Sequence, residues 1–221
     1  PAVLGATGVA AVVRPGDTVI VDGSAGRVVV RPTNATLESY ERRRVEFVRE
    51  QKQLSRLAKL PAVTRDGIDV TLEVNIELPR EIEQAMTVGA AGVGLLRTEF
   101  LFMNRDDIPD EDAQFRTLTG IIEGMDGRPV TVRTLDVGGE KLASSLGSAI
   151  TPSANPALGL RAIRLGLARP ELLETQLAAI LRAAAVGPVR ILLPMIATVD
   201  EVRAVRALMA RSEEHTSELQ S

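Results

Sequence analysis

The sequence predicts an α/β protein built on a parallel sheet. Three observations lead there. Val- and Ile-rich runs alternate with helical stretches from about residue 61 onward. Four such β/α units fit in about 150 residues, which calls for parallel strands joined by helical crossovers. Finally, 45% hydrophobic and 25% charged residues is the composition of a chain that buries a core.

Taken in order, residues 1–34 hold short apolar runs between turn signals. Ala2-Val-Leu4 and Val9-Ala-Ala-Val-Val13 read as strand-like. Thr18-Val-Ile-Val21 and Arg27-Val-Val-Val-Arg31 flank Asp22-Gly-Ser-Ala-Gly26, a hairpin turn. This is too little chain for a core of its own, so it completes a domain lying mostly upstream. Residues 35–59 contain neither Gly nor Pro and predict one long charged helix, with Asn34 or Thr36 as N-cap. Leu37, Tyr40, Phe47, Leu54 and Ala58 give it a narrow apolar seam. Such a helix spans roughly 37 Å and suits an arm between domains, or equally a solvated helix packed on its own domain.

The units that follow are Val70–Ile76 with a helix near Pro79–Gly89, and Gly94–Arg97 with a helix near Asp110–Glu123. Next come Val130–Leu135 with a long loop and a helix over Arg161–Ala185, then Val189–Ile196 with a helix from about Asp200. Pro170 splits the long helix in two, because an interior proline breaks the hydrogen-bond ladder. A complete eight-unit barrel takes about 250 residues, so the chain encodes a small open sheet or the first half of a barrel.

Composition narrows the function. Lys and Arg number 26 against 29 Asp and Glu, and a net charge of −3 offers no electrostatic handle for nucleic acid. Trp is absent, and Tyr occurs once and Phe four times, which leaves almost nothing on which bases could stack. No run of about 18 apolar residues predicts a membrane span. Zero cysteines excludes disulfides, thiolate metal sites and a cysteine nucleophile within this segment.

Chemistry gathers at two strand ends. The second strand closes on Arg97-Thr98-Glu99 and the third on Arg133-Thr134-Leu135-Asp136-Val-Gly-Gly139. In α/β proteins this C-terminal edge is where ligands bind. Neighbouring strands lie about 4.8 Å apart, close enough for two guanidinium forks to meet on one phosphoryl or carboxylate group. The alternative is structural, with Arg97–Glu99 and Arg133–Asp136 as ion pairs. Arg161 follows Gly159 near a helix start and is a third, weaker candidate. Glu99, Asp136 and Glu140 are oxygen ligands suited to Mg²⁺, though their spacing follows no dedicated metal motif.

These segments, together with Asn155-Pro-Ala-Leu-Gly-Leu-Arg-Ala-Ile-Arg164, Leu193-Pro-Met195 and Gly92-Val-Gly-Leu-Leu-Arg-Thr-Glu-Phe-Leu-Phe-Met103, resemble Enzyme I of the bacterial sugar phosphotransferase system. That family, the phosphoenolpyruvate–protein phosphotransferases, belongs to the PEP-utilising enzymes. The resemblance runs over residues 1–210. It implies that 1–34 are the last strands of a swivelling phosphohistidine domain and 35–60 a linker helix, with 61–210 the first half of a TIM-type (β/α)8 barrel that binds phosphoenolpyruvate. It also implies that Arg97, Arg133 and Arg161 bind substrate, and that a histidine-containing phosphocarrier protein is the acceptor. Mg²⁺ is the implied cofactor, held by later strands, and the parent is an implied cytoplasmic homodimer. On this reading the acceptor histidine lies upstream of Pro1, no catalytic residue falls in the chain, and the isolated segment is inactive. A nitrogen-type regulatory paralogue or a non-catalytic binding module on the same domain is the alternative.

Both ends read as cut. Helical, alanine-rich sequence stops at Ala210, and Arg211-Ser-Glu-Glu-His-Thr-Ser-Glu-Leu-Gln-Ser221 resembles the translation of a sequencing-library adapter. His215, the only histidine, falls inside that tail and outside any phosphohistidine motif.

Overall fold

The computed structural model describes residues 2–103, 107–138, 155 and 157–219, with side chains through 213. It divides into two compact units, Pro1–Leu57 and Ala58–Ser221.

In the first unit, strands β1 (Val19–Asp22) and β2 (Arg27–Val30) pair antiparallel with Val19 opposite Val30 and Asp22 opposite Arg27. Asp22 builds the turn itself, since its Oδ1 accepts the backbone N–H groups of Ser24 and Ala25 at 3.1 and 2.9 Å. The Val9–Val13 run differs from expectation: Val9–Val12 is a single helical turn, α1, rather than a strand. Gly8 enters it at φ 85°, Ala10 and Ala11 are good helix formers, and the Val13 N–H closes the turn on the Val9 carbonyl. Ala2–Leu4 forms no strand either.

Helix α2 covers Asn34–Leu54, and a 3₁₀ turn follows at Leu57–Lys59. Its cap is neither Asn34 nor Thr36 but Thr33, whose hydroxyl accepts the Thr36 N–H at 3.3 Å. None of its residues is buried, and Phe47 and Leu54 of the seam are more than half exposed.

The second unit carries a four-stranded parallel sheet of β3 (Val74–Ile76), β4 (Val93–Arg97), β5 (Val130–Arg133) and β6 (Val189–Leu192). The spatial order is the chain order, β3-β4-β5-β6. Helices α3 (Ile82–Thr87), α4 (Glu111–Gly124), α5 (Ala162–Ala168), α6 (Pro170–Ala183) and α7 (Val199–Leu219) come between and after the strands. Pro170 opens α6, as its position predicts. Alternation along each strand sends Val130 and Val132 into a core with Leu96, Ile76, Leu118 of α4 and Ile180 of α6. Ile191 of β6 joins a second cluster with Ile163 of α5, Leu177 of α6 and Val205 of α7. The helices therefore cover one face of the sheet. The other face carries Thr131, Arg133, Arg190 and Leu192. There Arg190 reaches Glu73 at 3.2 Å.

Three strands are shorter than the apolar runs that predict them, each for a local reason. The Val70 N–H goes to Ala62 and the Leu72 carbonyl to Ala91, so the ladder of β3 starts only at Val74. β5 ends at Arg133 because the Leu135 N–H is taken by a side chain, Gln176. Pro194 lacks the N–H that would extend β6. Two glycines are required by close approach: a Cβ on Gly89, which holds φ 73°, would collide with the Ala58 carbonyl oxygen, and a Cβ on Gly92 would lie 2.7 Å from the Pro129 oxygen.

At the far end, α7 does not stop at Ala210. It continues to Leu219, with Ser212 buried and its hydroxyl on the Leu208 carbonyl, and with Arg211 paired to Glu174 of α6. Among the described residues, no helix is long and apolar enough to cross a membrane.

Two helices begin with the same device. The Glu81 carboxylate accepts the N–H groups of Glu77 and Leu78 at 2.7 and 2.9 Å, and Glu201 accepts those of Ala197 and Thr198 at 2.7 and 2.8 Å. These bonds to the charged form hold both carboxyls below the usual glutamate value of 4.5. A depressed acid stabilises the fold above its unfolded pKa and loses that contribution as pH falls through the folded one. Glu81→Gln is therefore expected to lower the urea midpoint at neutral pH. The gap to the native protein should close as pH falls below 4.5. A gap that stays constant down to acid pH would show that the charge contributes nothing.

Candidate functional site

Arg97 and Arg133 are the last residues of β4 and β5 and stand opposite each other in the parallel register. Register partners project from the same face, so both side chains leave the same edge of the sheet. Their surroundings differ. Arg97 is about half exposed and only loosely paired, with Glu77 of the β3 end at 3.8 Å. Arg133 is 19% exposed and held from two sides, by Glu99 Oε1 at 2.6 Å and Asp136 Oδ2 at 3.3 Å.

The carboxylates link this pair to the third arginine. Asp136 Oδ1 accepts both Nε and Nη2 of Arg161, at 3.2 and 2.8 Å. Arg161 stands just before α5, pinned by an antiparallel bridge to Gly138 and by the Ala162 N–H on the Val137 carbonyl. Ala162 holds φ 51° there, a left-handed conformation that costs a non-glycine residue of order 1 kcal/mol. Glu99 sits in a 3₁₀ turn, Glu99–Leu101, where its Oε1 also accepts the Asp136 N–H at 3.2 Å. Arg133, Glu99, Asp136 and Arg161 thus form one alternating network along the strand ends. Of the ion pairs expected from sequence, Arg133–Asp136 is present. Glu99 pairs across the strands with Arg133, not with Arg97.

Two buried atoms of this network, Arg133 Nε and Glu99 Oε2, have no hydrogen-bond partner among the described residues. A part-buried cation with a spare N–H, next to a half-exposed one, is an arrangement that can take up an oxyanion. It is poorly suited to a metal. Glu99 and Asp136 are committed to arginines, and no group of three acidic or histidine side chains among the described residues could hold a metal ion. Glu140, Gly139 and the side chain of His215 lie outside the described residues.

Behind the arginines is a layer that sequence reasoning missed. Gln176 of α6 is 1% exposed. Its Oε1 accepts the Leu135 N–H at 2.8 Å, and its Nε2 donates to Thr98 Oγ1 at 3.1 Å. The fully buried Thr98 hydroxyl in turn donates to the Arg133 carbonyl at 2.9 Å. A polar residue on the buried stripe of α6, between Leu173 and Ile180, was the one available signal.

Fold and edge together define an α/β domain that presents a cluster of arginines at the C-terminal ends of a parallel sheet. Residues 51–220 match the family described as PEP-utilising enzyme, PEP-binding domain, and the chain belongs to that family. Among curated proteins it is similar to the phosphoenolpyruvate-protein phosphotransferase of Cupriavidus necator, 46% identical over 99% of this chain. It also matches the proteins of that name from Geobacillus stearothermophilus and Staphylococcus aureus, at 44% and 41% identity over 97% of the chain. The chain spans 37% of the length of each of these relatives.

Proposed function

We propose that this chain is part of a phosphotransferase that moves the phosphoryl group of phosphoenolpyruvate to an enzyme histidine, and on to a histidine-containing carrier protein for sugar uptake. The observation that carries the proposal is the register of Arg97 against Arg133, in a chain whose similar proteins are named for that reaction. In such a transfer the bond between the enol oxygen and phosphorus breaks as a bond from a histidine nitrogen to phosphorus forms. Most of what a protein contributes is positioning and neutralisation of charge on the equatorial oxygens. Arg97 and Arg133 bind the phosphoryl group, and Arg161 binds beside them through the position that Asp136 gives it.

The rest of the reading follows from the same assignment. Sequential strand order with helices on one face fits the first half of a (β/α)8 barrel, 61–210. Residues 1–34 are then the end of the phosphohistidine domain and 35–60 the linker helix, while α7 runs on past residue 210 into the segment that resembles an adapter translation. The acceptor histidine and the Mg²⁺ ligands belong to parts of a longer, dimeric, cytoplasmic protein.

Arg97 gives the cleanest test, because its loose, half-exposed pair with Glu77 contributes little to stability. In the full-length protein, Arg97→Ala is expected to lower kcat/KM for phosphoenolpyruvate at least a hundredfold, while unfolding free energy changes by less than about 0.5 kcal/mol. Labelled phosphoenolpyruvate and a denaturant titration measure the two. Unchanged phosphoryl transfer would remove Arg97 from the site.

A further inference from the structure

We infer that Gln176 is a positioning residue for the arginine pair, acting through the Thr98 hydroxyl and the Leu135 peptide; this rests on the phosphoenolpyruvate reading above. Packing asks nothing polar of position 176, since Leu173, Leu177, Ala179 and Ile180 around it on α6 are buried and apolar. Yet a buried amide is tolerated only where its donor and acceptor are both used. Here both are spent on one feature, the point where β4 and β5 end.

The carbonyl oxygen holds Leu135, two residues beyond Arg133. The amide N–H orients Thr98, one residue beyond Arg97, so that its hydroxyl points at the Arg133 carbonyl. A single side chain from a helix thereby ties the residue after one arginine to the main chain of the other. The tie also reaches the guanidinium. The residue after Leu135 places its own N–H on Glu99 Oε1, the oxygen that grips Arg133 Nη2. Movement of the 135–136 peptide therefore shifts Glu99 and Asp136, the two carboxylates that aim Arg133.

A leucine at 176 would keep the volume and leave the Leu135 N–H unpaired and the Thr98 hydroxyl free to turn. Small misplacement of a phosphate-binding group is costly to a reaction that depends on geometry. A role confined to packing would instead show as lost stability with unaltered kinetics of the folded protein. Dependence on Arg133 separates the two.

The experiment measures kcat, KM and melting temperature in the full-length protein for Gln176→Leu and Thr98→Val, each with and without Arg133→Ala, using labelled phosphoenolpyruvate. Gln176→Leu is expected to lower kcat/KM about tenfold in the native background and less than twofold beside Arg133→Ala, with the same drop in melting temperature in both. Thr98→Val should reproduce this pattern, and Thr98→Ser, which keeps the hydroxyl, should recover most of the loss. If Gln176→Leu fails to fold, the Thr98 pair carries the same comparison. Equal losses in both backgrounds, or no kinetic loss in either, would overturn the assignment. A native protein that turns over phosphoenolpyruvate and ignores position 176 sinks the role alone. One that does not turn it over at all sinks the substrate reading, and the role with it.

Discussion

Arg133→Ala is expected to lower kcat/KM for phosphoenolpyruvate about a thousandfold, equivalent to about 4 kcal/mol of transition-state stabilisation. The size follows from its position. Arg133 is the least exposed of the three arginines, so its charge is screened less by water than that of half-exposed Arg97. Its buried Nε–H also has no partner among the described residues. The substitution has a second consequence that the assay must separate. Glu99 and Asp136, 14% and 16% exposed, each lose a partner. Asp136 keeps Arg161, but Glu99 is left without a cation, and a part-buried carboxylate in that state destabilises a fold by about 1–3 kcal/mol. Arg133→Lys distinguishes the two effects. Lysine restores a charge near Glu99 and recovers stability, but as a point charge it does not replace a planar fork, so kcat/KM should stay well below native. If alanine and lysine variants both transfer phosphate at the native rate, Arg133 is a structural ion pair and nothing more.

Much of the sheet was legible because its signals are local. The runs Val130–Leu135 and Val189–Ile196 follow Pro129 and Pro188, and each strand begins where its run begins. Pro170 splits α5 from α6 for a reason that needs no tertiary information. Strand ends were less legible, because they are settled by partners distant in sequence. Leu135 continues the apolar pattern of β5, yet its N–H is captured from 41 residues away by Gln176. Likewise Val9–Val13 carries a strand's residue types but forms one helical turn, since a run with no neighbouring strand gains nothing from being extended.

The candidate site divides in the same way. That Arg97 and Arg133 stand side by side was readable from two similar strand endings, because parallel neighbours place equivalent positions next to each other. Which carboxylate serves which arginine was not. Glu99 lies two residues from Arg97 but pairs with Arg133, because the 3₁₀ turn after β4 carries it across to the next strand. Glu77, the actual neighbour of Arg97, comes from the end of β3 and has no sequence relation to it. Gln176 was hardest to find: a glutamine in an amphipathic helix ordinarily marks the wet face, and its place on the apolar stripe with Leu173, Leu177 and Ile180 was the one sign that it faces inward.

Leu118→Ala is expected to cost the full-length protein about 3–4 kcal/mol of unfolding free energy, the largest stability effect among these substitutions. Leu118 is fully buried on α4, in the cluster that joins Leu96 and Val132 of the sheet to Ile180 of α6. Two helices and the sheet meet at this point, with α4 packed against α6, so neighbours have little freedom to collapse into the space the lost isopropyl group leaves. The cavity lies on the helix-covered face of β5, whereas Arg133 projects from the other side of the same strand. The variant should thus show a lowered denaturant midpoint with an unchanged slope, and the molecules still folded should keep kcat/KM for phosphoenolpyruvate within about twofold of native. A loss of turnover as large as that of Arg133→Ala, at a temperature where Leu118→Ala remains folded, would mean that the arginine edge is not held rigid by the strand ends and that the helix layer itself sets the geometry of the phosphate clamp.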